Sequence, residues 1–148
     1  MSSRGRFARG RRLGLVALIL GASLGIAGEA DACNACLEDK VAATYDWQVV
    51  SAAQRSGHTV VFTALRGRIA PNDRELSRFV SRSIEGIPGS DHGTVRVSLT
   101  PPAVSFACDS KRYPPSKLIA AMNRALRTKG VTLELIRVGV GAGAGNRT

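Results

Sequence analysis

Three cysteines and two histidines carry most of the chemistry open to this sequence. Two of the cysteines form one constellation, Cys33-Asn34-Ala35-Cys36. At the start of a helix, Cys-x-x-Cys brings both sulfurs within reach of each other, and the unsatisfied N–H groups of the first turn stabilise thiolate. Three uses fit that arrangement: ligation of a soft metal, thiol–disulfide exchange, or a short structural disulfide in an oxidising compartment. If processing exposes Cys33, its free α-amine adds a third ligand, a set suited to Cu(I), Zn, Ni or Cu(II) in different geometries.

Cys108 alternates in step with Val104 and Phe106. It is expected to face a core, where a free thiol behaves as a small hydrophobe. The exception is a fold that lays Cys36 beside the end of that strand. His58 and His92 have no partner at ligand spacing and read as exposed loop residues. Asp91-His92 alone is too small a set to hold a metal. No Ser/His/Asp order, carboxylate pair in an apolar setting or phosphate-cradling loop occurs, and Gly139 to Gly145 follows a strand but opens no helix. The expectation is a protein that is not an enzyme. A thiol–disulfide exchanger would need a strand before its Cys pair, and here an apolar leader comes first.

That leader begins with Arg4, Arg6, Arg9, Arg11 and Arg12, continues through the uncharged run Leu13 to Gly28, and reaches Ala30-Asp31-Ala32. A charged start, a short apolar stretch and a small-x-small tripeptide are the parts of a secretory signal peptide. The apolar run is shorter than the roughly 20 residues a spanning helix needs. Residues 1–32 are therefore read as a signal peptide, with cleavage after Ala32 or Ala30, no stable membrane insertion afterwards, and a periplasmic or secreted product. Lipoprotein processing at Cys33 is disfavoured by Asp31 and Ala30, and twin-arginine export by Gly10 and Gly14. The 148-residue chain carries a formal charge of +10 and stays basic without the leader. Its cations are spread along the chain, as on a solvated surface. Outside the cytoplasm such charge points to solubility, an acidic partner or an anionic membrane surface, and no nucleic-acid partner is expected.

The elements that must carry these residues are legible from periodicity. Leu37, Val41, Tyr45, Val49 and Ala52 recur at helical spacing and predict one amphipathic helix from Ala35 to Ala53. Residues 33–57 thus form a Cys-x-x-Cys segment and helix, stopped by Gly57. Thr59 to Leu65 reads as a buried strand, and Pro71-Asn72-Asp73 opens a helix with Leu76, Phe79, Val80 and Ile84 on one face. Val95, Val97 and Leu99 alternate with Arg96, Ser98 and Thr100, one face buried and one wet. After the Pro101-Pro102 turn, Val104, Phe106 and Cys108 alternate with Ser105, Ala107 and Asp109. Pro114-Pro115 start a helix with Leu118, Ile119, Met122 and Leu126 on one stripe, Gly130 ends it, and Thr132 to Val138 is a last strand. Residues 139–148 are glycine-rich and expected to be a disordered tail. The fold class is α+β: an amphipathic N-terminal helix followed by a ferredoxin-like βαββαβ sandwich over residues 58–138, with both crossover helices on one face of an antiparallel sheet.

Within that span, Gly93-Thr94-Val95-Arg96-Val97-Ser98-Leu99, then Ala103-Val104-Ser105-Phe106, then Pro115 to Ala121 follow the second strand, third strand and second helix of the heavy-metal-associated domain, a copper-chaperone-like module. The chain resembles that family in its pattern of burial. The family binds a soft cation through Met-x-Cys-x-x-Cys between its first strand and first helix. Here that loop is Arg66-Gly67-Arg68-Ile69-Ala70-Pro71 and contains no sulfur. The resemblance implies a degenerate domain in which any soft metal, such as Cu(I), is held by Cys33 and Cys36, with a metal donor or acceptor protein as partner. The competing expectation is a structural or partner-docking module stapled by a disulfide.

Overall fold

The computed structural model describes residues 29–139, with side chains from residue 36 onward. Most of the expected signal peptide (residues 1–28 of 1–32) and of the expected tail (140–148) lies outside the described residues, as does the side chain of Cys33.

Strand β1 (Thr59–Gly67) leads into helix α3 (Arg74–Glu85), then the hairpin β2 (Arg96–Leu99) and β3 (Pro102–Cys108), helix α4 (Pro115–Leu126) and strand β4 (Val131–Val138). The four strands form one antiparallel sheet in the order β2-β3-β1-β4. This is an α+β architecture. Ahead of it lie helices α1 (Glu29–Ala43) and α2 (Trp47–Arg55).

Local chemistry explains where these helices start. Asp73 accepts a hydrogen bond from the Leu76 backbone N–H and caps α3. Pro115 occupies the first turn of α4, where its missing N–H costs nothing. Leu76, Val80 and Ile84 from α3 and Leu118, Ile119, Met122 and Leu126 from α4 enter one core with Val61, Leu65, Val104, Phe106, Val131 and Leu133. Both crossover helices therefore cover the same sheet face.

The N-terminal segment corrects two expectations. The single helix predicted from Ala35 to Ala53 is two helices, broken at Thr44 to Asp46. Asp46 is the N-cap of α2: its carboxylate accepts from the Gln48 and Val49 N–H groups at 2.8 and 3.2 Å. The Thr44 carbonyl accepts from the Ser105 hydroxyl at 2.7 Å, so the break is tied to β3. The face also differs, because Tyr45 and Ala52 are exposed while Val50 and Ala53 are buried.

The second correction concerns the sheet. Val41, Val49, Val50 and Ala53 pack with Val60, Phe62 and Ala107 into a second core on the side away from α3 and α4. Ser105 and Ala107, the alternate set on β3, are buried. The face of β2 expected to be wet is also partly covered, since the Arg96 guanidinium bonds Asp46 at 2.8 Å and the Gly93 carbonyl at 2.9 Å. A layer of helices on each side of one sheet accounts for the continuous burial of Val60 to Leu65, which a one-sided sheet would have interrupted.

Candidate functional site

Positions 33 and 36 lie three residues apart on α1, hence on one side of that helix. The expected cut after Ala32 falls within α1, so the processed chain would begin at the first cysteine. Cys36 is exposed. Cys108 is buried, as its parity with Phe106 predicts, and the two are not bonded to each other. Burial first, then the nearby Asp91 and Asp109 carboxylates, push the Cys108 thiol up to about 11. That leaves it protonated and inert near neutrality.

The loop after β1 is sulfur-free, and its first cation is already engaged. Arg66 Nε donates to Glu134 at 2.7 Å, which ties β1 to β4, and Ile69 packs against the main core. Of the two cations in this loop, Arg68 is the one exposed without a side-chain ion pair among the described residues. Among the described residues no group of three or more His, Cys, Asp or Glu side chains could hold a metal ion. Asp91 is not a partner for His92. It is taken by His58, whose Nδ1 lies 2.7 Å from Asp91 Oδ2, while His92 is exposed.

This pair is what sequence reasoning missed, and 33 residues of separation leave no signal that could have found it. Both side chains are about one-third exposed. The Asp91 N–H also donates to the Ala107 carbonyl at 2.9 Å, and the Thr94 hydroxyl donates to the Asp91 carbonyl at 2.6 Å. Asp91 thereby joins the entry of β1, the loop before β2 and the end of β3. The hydrogen bond that the His58 Nδ1–H donates to the Asp91 carboxylate raises the pKa of His58 above its ordinary 6.5. Its stabilisation is therefore fully present below about pH 6.5 and is lost as pH rises through the elevated folded-state value. His58→Asn should remove that dependence: the stability gap between wild type and variant, read from urea midpoints, should narrow with rising pH and vanish in the alkaline range. A gap independent of pH would show that the ion pair does not form.

A separate open groove of about 300 Å³ lies between the loop after α3 and the start of α4. Its wall combines Ile87, Pro88 and Leu118 with the cations Arg112 and Lys117, and Arg112 sits 5.3 Å from the centre of the Tyr113 ring. None of its lining residues is an acid, a thiol or an imidazole, so it offers apolar contact and positive charge.

No family model matches the sequence, and no curated protein matches it. Among solved structures the chain is similar to the N-terminal domain of PacS from Synechocystis PCC6803. That match has 15% sequence identity and a TM-score of 0.39, over 53% of this chain and 97% of that domain.

Proposed function

We propose that this chain is an exported, non-enzymatic ferredoxin-like module of the heavy-metal-associated type that binds or relays a soft cation through Cys33 and Cys36. The observation that carries this reading is the placement of the two cysteines one helical turn apart on α1, with the Cys36 side chain exposed. Two thiolates suit Cu(I), which is soft and accepts few ligands. A closed tetrahedral zinc site would need two more ligands. The free α-amine of Cys33 after cleavage would supply one. Exposure of Cys36 suits transfer, because a partner's thiols can reach a metal held there and displace its ligands one at a time. The implied partner is a metal donor or acceptor protein in the same exported compartment.

The reading is tested on the mature protein by Cu(I) titration against a competing chelator, for wild type and the Cys33→Ser/Cys36→Ser double variant. Loss of stoichiometric binding in the double variant is the expected result, and unchanged binding would remove both residues from the site.

The packing of α1 favours one alternative. Its last turn enters the second core through Val41, so a disulfide at residues 33 and 36 could serve to staple the helix of a partner-docking module. In that case the double variant loses stability and no ligand.

A further inference from the structure

The fold gathers cations that stand scattered along the sequence. On α3, Leu76, Val80 and Ile84 are buried, and Arg74, Arg78 and Arg82 each precede one of them by two positions. Two positions are about 200° around a helix, so the arginines point directly away from the sheet, in one stripe with steps of about 6 Å. On α4, Lys117 and Arg124 lie two turns apart, on the side opposite buried Leu118, Met122 and Leu126. All five cations are exposed, and none forms a side-chain ion pair among the described residues. Arg82 reaches only the Arg78 carbonyl, at 3.4 Å. Acids do little to offset this layer: α4 contains none, Glu75 on α3 is bonded to Lys129, and Glu85 is half-buried. Across the sheet, the α1–α2 segment from residue 36 onward sets Glu38, Asp39 and Asp46 against Lys40 and Arg55. The net positive charge of the helices thus lies in one of their two layers.

Solvation alone gives no reason for this arrangement. Like charges four residues apart destabilise a helix, and the stripe contains two such pairs. Arg74 also places a cation in the first turn of α3, at the positive end of its macrodipole. A layer of anions relieves all three repulsions together. The groove of about 300 Å³ between the loop after α3 and the start of α4 adds apolar contact, with Ile87 and the exposed Pro88 beside Arg112 and Lys117. Cations spread over the backs of two helices, and not around a cleft, suit a plane of charges better than a single extended chain. Apolar atoms next to cationic side chains suit the boundary between lipid headgroups and acyl chains.

From this asymmetry we infer that the outer surface of α3 and α4 docks peripherally on an anionic lipid bilayer, with the α3 stripe and the α4 pair on the headgroups and α1 and α2 turned away. Adsorption of this kind is electrostatic and reversible, and it weakens as salt is added.

The test is co-sedimentation of the full chain, at physiological salt, with vesicles of phosphatidylcholine alone or mixed with phosphatidylglycerol. The vesicles without phosphatidylglycerol correct for insertion of the apolar run Leu13 to Gly28. Each cation near an anionic surface strengthens binding about fivefold, so Arg74→Gln/Arg78→Gln/Arg82→Gln should weaken binding to the mixed vesicles on the order of a hundredfold. Lys117→Gln/Arg124→Gln and Lys40→Gln/Arg55→Gln remove equal charge from the two layers. The first should weaken binding roughly twentyfold, and the second, on the far side of the sheet, should leave it unchanged. Circular dichroism and urea midpoints check the fold, and the α3 variant should be no less stable than wild type, having lost two repulsive pairs. The one tryptophan of the chain, Trp47, is 67% exposed on α2, and brominated lipid should leave its emission unquenched. Equal losses from the two double variants, binding that ignores phosphatidylglycerol, or quenching of Trp47 would overturn the proposal. So would a chain that stays off both kinds of vesicle, and if the α3 variant then loses retention on heparin, the stripe belongs to a soluble polyanion instead.

Discussion

Phe62→Ala is expected to lower the unfolding free energy by about 3–5 kcal/mol, the usual cost of removing a fully buried ring. Phe62 is 1% exposed, yet it points away from the core built by α3 and α4. Its neighbours are Val41 from the end of α1, Val49, Val50 and Ala53 from α2, and Val60 and Ala107 from the sheet. On an uncovered sheet face the ring would be wet, and its truncation would cost well under about 1 kcal/mol. The substitution therefore measures whether the N-terminal helices are part of the folded unit. Against a typical stability of about 5–15 kcal/mol, a loss of that size would take a large share of the total. Guanidinium unfolding should show a lower midpoint with an unchanged slope. A near-neutral result would mean that α1 and α2 do not pack as a second layer.

A second large effect is expected at Gly67, the last residue of β1. Its φ is +128°, and a Cβ built there would lie 2.5 Å from the Gly130 carbonyl oxygen and 3.2 Å from the Val131 Cα. Both atoms are backbone, so no side chain can swing aside. An unfavourable conformation costs about 1–3 kcal/mol, and overpacking a further ~1–3 kcal/mol. Gly67→Ala should therefore destabilise the fold by about 3 kcal/mol or more, or displace the start of β4. Gly57 provides the control, with φ +69° and nothing within 4 Å of the built Cβ. Gly57→Ala should cost only about 1–2 kcal/mol, the left-handed penalty alone. Equal midpoints for the two variants in the same denaturant series would refute the close contact.

The Gly67 contact belongs to a wider set of packing contacts. In this chain the segment after β1 is clamped beneath the start of β4, Arg66 is paired to Glu134, and Ile69 is drawn into the core. The loop after β1 is thus given over to packing. Under the proposed function the two cysteines of α1, and not this loop, are the residues to substitute first.

Periodicity alone determined much of this protein. The alternation of Val104, Phe106 and Cys108, the helical stripes of Leu76, Val80 and Ile84 and of Leu118, Met122 and Leu126, and the breaks at Asp73, Pro114-Pro115 and Gly130 all mark elements that the structure contains. These signals are local: each depends on residues within a few positions of one another, so a linear reading can see them. The Cys33 and Cys36 spacing is legible for the same reason. Tertiary structure alone decided the rest. That Asp46 caps a new helix depends on Thr44 docking against Ser105 and on Arg96 reaching its carboxylate from β2. His58 finds Asp91 only once β1 enters the sheet beside β3. That Glu134 and Arg137, three residues apart, sit opposite Ala64 and Phe62 and hence on one face depends on a β4 bulge visible only in the pairing with β1. Each of these joins groups far apart in the chain, and their meeting is a property of the assembled sheet, to which no short stretch of sequence has access.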